Sequence, residues 1–365
     1  MQRRRFVASG TWSLALAGAT RALAQAGATD GRKELKWGYG GKNINTATVS
    51  MAIPEPLGYY KEEGIGIEIL PVGTYPVVLE GLRTGTLDFG TVAAMVTLPL
   101  LAKGQKLPIV NFMEYTYPFK WSLAVKPESS LNALEQLRGK RIGIPFFGSA
   151  DFEVGKGVLA LVGLTEKDVQ WIATGEGIPG GLALQRGDID ALFTYDSQLA
   201  VIEGAGLKLR YLTLPSNVPK VGGQWLGAAT DRLGDANYRR HAVAFGRSVA
   251  KANIFILENP EAAAYLFLML YPEMAPMNMT LPEKVNALLL AMKKRAALYK
   301  HYDPAIRKWG YVKQEEIDEE LKFAGVVGKV DGSALWTNDL VDEINRFDEL
   351  KIRRQAREFE LPYKR

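Results

Sequence analysis

Segments with strand signals alternate with segments with helix signals through the first 214 residues, and this alternation constrains the fold more than any other feature of the chain. The segments at 33–39, 65–70 and 121–125 are typical of strands. Helical segments such as 76–84 and 152–161 separate strands of this kind. Regular alternation predicts an α/β protein with mostly parallel sheets.

The rest of the chain, after Trp225, carries only helix signals. Asn259-Pro260 supplies an N-cap and a proline at a first helical position, and Thr280 to Glu283 forms a capping box. A further helix is predicted over 340–359. Helices without strands between them cannot build their own sheet, so we expect them to pack on the first α/β lobe.

A short internal sequence repeat supports the presence of two similar lobes. Leu82 to Asp88 and Leu184 to Asp190 share the pattern Leu-x-x-Gly-x-aliphatic-Asp. Each copy reads as a helix end, a glycine that can take positive φ, and the entry to a buried strand. Both copies fall at the same place in their unit, which favours a duplicated architecture.

The first 24 residues have the pattern of an export signal. Arg3, Arg4 and Arg5 precede an apolar run, and Ala22-Leu23-Ala24 is a small-x-small cleavage site. The arginines also fit a twin-arginine signal. The alternative is an N-terminal membrane anchor. The apolar run is short and is interrupted by Arg21, which argues against an anchor. We expect cleavage after Ala24 and a periplasmic mature chain.

Charge and residue usage exclude several function classes. The full chain carries 45 basic and 40 acidic residues, and four of the arginines lie in the signal. The mature chain therefore has 41 basic residues against 40 acidic ones, a balance that does not indicate a nucleic-acid partner. Cysteine is absent and only two histidines occur. Thiolate nucleophiles, cysteine-based metal sites and histidine-rich metal sites are therefore excluded. We predict no catalytic residues, no metal and no cofactor.

Four segments, in order, resemble the periplasmic solute-binding proteins of ABC importers. The nearest branch is the nitrate, sulfonate and taurine group with its thiamine-pyrimidine relatives, the NMT1/THI5-like family. Gly58–Ile69 resembles GYFKEEGLDVE, and Leu82–Gly90 resembles L-x-x-G-x-x-D-F-G. Leu137–Ile144 resembles LKGKKIGV, and Gly187–Ala191 resembles G-x-V-D-A.

The resemblance implies a type II-like periplasmic binding protein fold, in which two α/β lobes joined by two hinge segments close over a ligand. The first lobe would comprise residues 34–118 and, as its helical second part, 223–340. The second lobe would comprise 119–222, and residues 341–365 would form a helical C-terminal extension. The two crossings would fall near 117–121 and 222–225.

Candidate ligand-binding residues lie where predicted strands end, because loops and helix N-termini converge there in open α/β sheets. The loop from Phe146 to Ala150 offers free N–H groups and a serine hydroxyl at a helix start. Asp151 is either the N-cap of that helix or a cleft residue that disfavours a strongly anionic ligand. The predicted set is Gly41, Lys42, Asn43, Thr91, Val92, Ala93, Glu114, Tyr115, Phe146, Phe147, Gly148, Ser149, Ala150, Tyr195, Asp196 and Trp225.

The predicted function is capture of a small organic solute for a membrane permease, by a monomer that is not itself inserted in the membrane. Lys42 is the sole basic side chain on the candidate loops, with Lys120 near the hinge, so we expect a neutral or monoanionic ligand. Aromatic, sulfonate and pyrimidine-like molecules are candidates. Two alternatives stay open: a thiamine-pyrimidine biosynthetic enzyme of the same fold, and a sensor that presents ligand to a membrane kinase or chemoreceptor.

Overall fold

Two five-stranded sheets organise the computed structural model, which describes residues 31–275, 277–299, 305–306 and 308–364. The predicted export signal lies outside these residues. The strands are β1 (Lys33–Tyr39), β2 (Ile65–Pro71), β3 (Phe89–Thr91), β4 (Ile109–Thr116), β5 (Trp121–Val125), β6 (Arg141–Ile144), β7 (Gln170–Ala173), β8 (Ala191–Tyr195), β9 (Arg210–Tyr211) and β10 (Gln224–Ala229).

The two sheets have the same strand order. The first sheet runs β2-β1-β3-β10-β4 and the second runs β7-β6-β8-β5-β9. In each sheet one strand is antiparallel to both of its neighbours, β10 in the first and β5 in the second. Each of these strands directly follows a crossing from the other sheet. The sheets are therefore mixed, and the predicted mostly parallel arrangement holds for the other four strands of each.

The α-helices flank these sheets. They are α1 (Val49–Ala52), α2 (Tyr59–Glu62), α3 (Tyr75–Thr84), α4 (Ala94–Ala102), α5 (Ala150–Ala160), α6 (Ile178–Arg186), α7 (Asp196–Gly204), α8 (Ala236–Glu258), α9 (Pro260–Leu270), α10 (Leu281–Ala296), α11 (Gln314–Phe323), α12 (Val341–Ile344) and α13 (Glu349–Arg357). Among the residues that the structure describes, no helix is both long and apolar enough to cross a bilayer.

The two copies of the internal sequence repeat occupy equivalent places in the two lobes. Gly85 ends α3 with φ 73°, and Gly187 ends α6 with φ 78°. The Asp88 carboxylate accepts a hydrogen bond from the Lys36 N–H in β1 at 2.9 Å. The Asp190 carboxylate accepts one from the Arg141 N–H in β6 at 2.8 Å. Each aspartate thus joins its strand to the neighbouring strand, and this explains why the pattern recurs.

The long C-terminal helices pack on the first sheet. Helix α8 carries fifteen buried residues, and its apolar side chains join the large core that also holds Leu35, Phe89 and Phe112 from the first sheet. Three details of the sequence prediction are wrong. The helix predicted over 340–359 is two short helices, α12 and α13. The sequence of 131–137 also predicts a helix, but the structure forms only a 3-10 turn there, at Leu134–Leu137. Strands β4 and β10 were not predicted.

Two crossing segments connect the lobes. The chain leaves the first sheet at Thr116 and enters the second at Trp121, then returns between Tyr211 and Gln224. Helices from the C-terminal part also contact the second lobe, since α10 packs along α7. The two helices lie close at Gly204, where an added Cβ would lie 2.9 Å from the Ala287 carbonyl oxygen.

Candidate functional site

A cavity lies between the two lobes, bounded by the hinge segments. Its volume, including the open mouth, is about 710 Å³. The residues that line it come from both lobes and from the hinge segments, most of them at strand ends and helix starts: Trp37, Tyr39, Gly40, Gly41, Asn45, Ala47, Thr48, Tyr75, Thr91, Ala93, Tyr115, Lys120, Trp121, Phe146, Ser149, Ala150, Asp151, Glu176, Tyr195, Gly223 and Gln224. This placement follows the rule that open α/β sheets bind ligands at the carboxyl ends of their strands.

The wall from the first lobe is aromatic and fixed by hydrogen bonds. The rings of Trp37 and Tyr39 stack with centroids 5.2 Å apart. The Trp37 indole N–H donates to Thr91 Oγ1 at 3.2 Å, and the Thr91 hydroxyl donates to the Trp225 carbonyl oxygen at 2.8 Å. Because Trp225 lies on the return strand β10, this chain of hydrogen bonds ties the aromatic wall to the hinge.

The wall from the second lobe is the start of α5. Ser149 is the N-cap, and its hydroxyl oxygen accepts a hydrogen bond from the Phe152 N–H. Asp151 therefore lies inside the helix, and it is buried against the cavity. Its carboxylate accepts a hydrogen bond from the Trp121 indole N–H at 3.2 Å. Burial raises the pKa of Asp151 to about 6.

The hinge contributes a buried cation. Lys120 Nζ donates to the Gly222 carbonyl oxygen at 2.5 Å and lies 3.8 Å from the Trp121 ring centroid. Burial, assisted by the positive charge of Arg295, lowers the pKa of Lys120 to about 7. Lys120 is the one basic side chain among the described residues that line the cavity.

The mouth of the cavity is flanked by residues from both lobes. Glu176, between β7 and α6 of the second lobe, faces the Lys42 N–H and the Asn43 side chain of the first lobe, and both favour its ionised form. Burial and the nearby charge of Asp151 outweigh them and raise the pKa of Glu176 to about 7. The Lys42 ammonium lies 5.3 Å from the ring centroid of Phe146, also across the cleft.

The arrangement suits binding of a small organic molecule. Aromatic rings from both lobes offer flat apolar surfaces, and hydroxyl, carboxyl and ammonium groups offer direction. Two carboxyl side chains and one ammonium line the cavity, so its charge balance does not favour a multiply charged anion. Among the described residues, no cluster of three or more acidic, histidine or cysteine side chains is placed to hold a metal ion.

The structure places half of the predicted binding residues on the cavity wall. Those are Gly41, Thr91, Ala93, Tyr115, Phe146, Ser149, Ala150 and Tyr195. The others do not line it: Lys42, Asn43, Val92, Glu114, Phe147, Gly148, Asp196 and Trp225.

For five of the residues outside the wall the structure shows why they do not line it. The Trp225 indole N–H donates to Glu114 Oε1 at 2.6 Å, so both side chains are buried behind the hinge strands. Asp196 pairs with Arg295 at 2.8 Å. Phe147 points outward and is 55% exposed. Lys42, which was expected to be the cavity cation, lies at the mouth, and Lys120 takes that place.

Sequence reasoning missed several lining residues, among them Tyr75 and Glu176. Tyr75 begins α3 just after β2, and Glu176 follows β7. Both therefore obey the strand-end rule that located the other loops, and applying it to every strand would have found them. Trp37 lies within β1 and Gln224 begins β10, so no strand-end signal marks them.

Comparison with known proteins supports the fold. A protein from Bordetella bronchiseptica RB50 is 21% identical, with a TM-score of 0.66 over 86% of this chain and 97% of that chain. The alkanesulfonate-binding protein SsuA from Xanthomonas axonopodis pv. citri, bound to MOPS, is 17% identical, with a TM-score of 0.59 over 85% of this chain and 97% of that chain. The nitrate-binding protein NrtA from Synechocystis PCC 6803 is 12% identical, with a TM-score of 0.58 over 90% of this chain and 99% of that chain.

These solved structures confirm the periplasmic binding protein fold, at identities that speak to the fold alone. No curated protein sequence matches the chain. The family model described as NMT1/THI5 like matches residues 45–263, which is more than half of the chain. The resemblance seen in the four sequence segments is thereby confirmed, and the chain belongs to the NMT1/THI5-like family.

Proposed function

We propose that this protein is the substrate-binding component of an ABC importer and captures a small organic solute between its two lobes. The observation that carries the proposal is the cavity itself, whose wall is built by both lobes and both hinge segments. A site of this kind binds by closing over its ligand. The nitrate- and sulfonate-binding names of similar structures support the same role.

The proposed ligand is neutral or monoanionic and has a flat ring or a short apolar body. Aromatic walls from Trp37, Tyr75 and Tyr195 favour a ring. The balance of Asp151 and Glu176 against Lys120 disfavours a doubly charged anion. Within the predicted range, this balance favours neutral pyrimidine-like molecules over sulfonates.

The proposed division of the chain keeps the sequence prediction. Residues 1–24 are removed on export to the periplasm, and 34–118 with 223–340 form the first lobe. Residues 119–222 form the second lobe, and 341–365 form the C-terminal extension. The mature chain works as a monomer, has no catalytic role, and delivers its ligand to a membrane permease.

Ligand-dependent thermal stabilisation of the mature chain tests this proposal. The panel contains aromatic carboxylates, sulfonates, pyrimidines and inorganic oxyanions. A ligand present at a hundred times its Kd stabilises the folded state by about 2.7 kcal/mol. We expect organic members of the panel to raise Tm, and stabilisation by inorganic oxyanions alone would contradict the proposal.

Two aromatic residues of the second lobe provide a matched pair of variants. Tyr195 lines the cavity, whereas Phe147 is 55% exposed and lies outside it. Tyr195→Ala should abolish the ligand-dependent rise in Tm, and Phe147→Ala should retain it. Equal loss in both variants, with the fold intact, would place the binding site elsewhere.

A further inference from the structure

Helix α11 places a buried carboxyl group against the hinge. Glu320 is 3% exposed, and its Oε1 accepts a hydrogen bond from the Gly222 N–H at 2.6 Å. Its other oxygen, Oε2, is buried and has no hydrogen-bond partner among the described residues. A buried carboxylate with an oxygen that nothing solvates costs free energy unless it takes up a proton.

Gly222 connects this carboxyl group to the ligand cavity. Its N–H faces Glu320, and its carbonyl oxygen accepts a hydrogen bond from Lys120 Nζ at 2.5 Å. Gly222 has φ 82° and directly precedes Gly223, which lines the cavity. One hinge residue is thus held between a cavity residue and a buried acid, so a change at either end reaches the hinge.

The charged groups around Glu320 act on it in both directions. The carboxylate of Glu114, on β4, opposes ionisation of Glu320, whereas Lys120 favours it. Tyr117, on the first hinge segment, lies within electrostatic range of Glu320 and also of Glu316 and Glu319 of α11. Burial is the largest influence, and it raises the pKa of Glu320 to about 7.

We infer that the hinge is a proton-sensitive latch, in which Glu320 holds a proton while the cleft is closed and releases it to solvent when the hinge opens. Closure then binds one proton at this carboxyl group, so rising pH favours the open form. Between the ordinary glutamate pKa of about 4.3 and the raised value of about 7, the ratio of closed to open molecules should fall by roughly tenfold per pH unit through this group alone, and above about pH 7 it should level off. The inference concerns the hinge and holds whatever molecule the cleft binds.

Lys120 contributes to the pH dependence of closure with the opposite sign, so its contribution has to be separated from that of Glu320. Its pKa is lowered in the closed structure, so closure releases a proton there and is favoured as pH rises. Because both chains keep Lys120, the comparison of wild type with Glu320→Gln isolates the contribution of Glu320, including its electrostatic coupling to Lys120. Glutamine has the size of glutamic acid, and its carbonyl oxygen can still accept from the Gly222 N–H, so the variant imitates the protonated side chain.

The test is small-angle scattering of the ligand-free mature chain between about pH 4 and pH 8.5. The radius of gyration of wild type and Glu320→Gln should agree at the acid end, where both side chains are neutral. As pH rises from about 4.5 to about 7 the wild type should become larger than the variant, and it should stay larger above about pH 7. Glu315→Gln, on the exposed side of α11, is the control and should follow the wild type. A difference between wild type and Glu320→Gln that does not change with pH would overturn the inference.

A second measurement decides the question even if Glu320→Gln does not fold. In the wild-type chain, the NMR shift of the Glu320 carboxyl carbon and that of the Gly222 amide should titrate together, with a midpoint near neutrality. A Glu320 carbon at its ionised shift down to about pH 5 would refute the latch. Since no ligand is present, failure here leaves the proposed binding function untouched.

Discussion

Arg295 on α10 and Asp196 at the start of α7 form a buried ion pair, with 2.8 Å between Nη2 and Oδ1. The same guanidinium donates to Ser197 Oγ and to Gln224 Oε1 of the hinge strand β10. One side chain therefore joins the C-terminal helices, the second lobe and the hinge. This contact holds the two lobes and the hinge together beside the cavity.

Arg295→Met should be strongly destabilising. The Arg295 side chain is fully buried, so its removal leaves Asp196 without its cation, and breaking a buried pair from one side costs about 3–5 kcal/mol. Lys294→Ala is the control from the adjacent position. Its ammonium pairs with Glu203 in a part-exposed setting, where loss should cost about 1 kcal/mol or less. Urea unfolding measures both, and equal costs would contradict the prediction.

Gly222→Ala should damage the hinge more than an ordinary glycine substitution. Gly222 has φ 82°, and an added Cβ would lie 2.0 Å from the Trp121 ring. Gly206 has φ 84° with open space around it, so Gly206→Ala reports the backbone strain alone, about 1–2 kcal/mol. Crowding against Trp121 should add at least about 1 kcal/mol.

Unfolding free energies and ligand-induced shifts in Tm check this pair. Gly222→Ala should lose both stability and ligand response, whereas Gly206→Ala should lose stability only. If the two variants behave alike, the contact between Gly222 and Trp121 does not constrain the hinge.

The fold was predictable because local signals repeat. The Gly85 and Gly187 patterns mark the same helix-to-strand connection in both lobes, and each shows in sequence as a glycine and an aspartate at fixed spacing. Strands β4 and β10 escaped prediction, since every residue of β4 is buried and its sequence, IVNFMEYT, has no alternation. Strand β10 begins after a polar loop and carries two alanines and a glycine, which give little strand signal.

The cavity was predictable only in part. Strand ends located the loops at Gly41, Thr91 and Ser149, but which side chains face inward depends on packing between the lobes. Asp196 and Trp225 illustrate the limit, since their partners, Arg295 and Glu114, are about a hundred residues away in sequence. Only the folded chain shows that these two side chains serve the hinge.

Asp151→Asn should change the pH dependence of stability. The pKa of Asp151 is raised from 3.8 to about 6, so the folded state holds this proton more tightly than the unfolded state. The stabilising contribution is complete below about pH 4 and is lost as pH rises to about 6. Asparagine removes this loss, on the order of 2–3 kcal/mol.

Urea unfolding of wild type and Asp151→Asn from about pH 3.5 to 7 measures the effect. The difference at the acid end is the internal control, because both side chains are neutral there. We expect the variant to gain stability relative to wild type as pH rises. A constant difference across the range would show that burial does not perturb this carboxyl group.

The C-terminal segment braces the first lobe, and Ile352→Ala tests this role. Ile352 on α13 is 3% exposed, and Arg353 beside it pairs with Glu258 of α8 at 2.8 Å. Truncating a buried isoleucine costs about 2–5 kcal/mol. Leu350→Ala is the matched control on the same helix, since Leu350 is 69% exposed and its loss should cost within about 0.5 kcal/mol. A small cost at both positions in urea unfolding would mean that α13 is dispensable, whereas the expected contrast makes it part of the cooperative core.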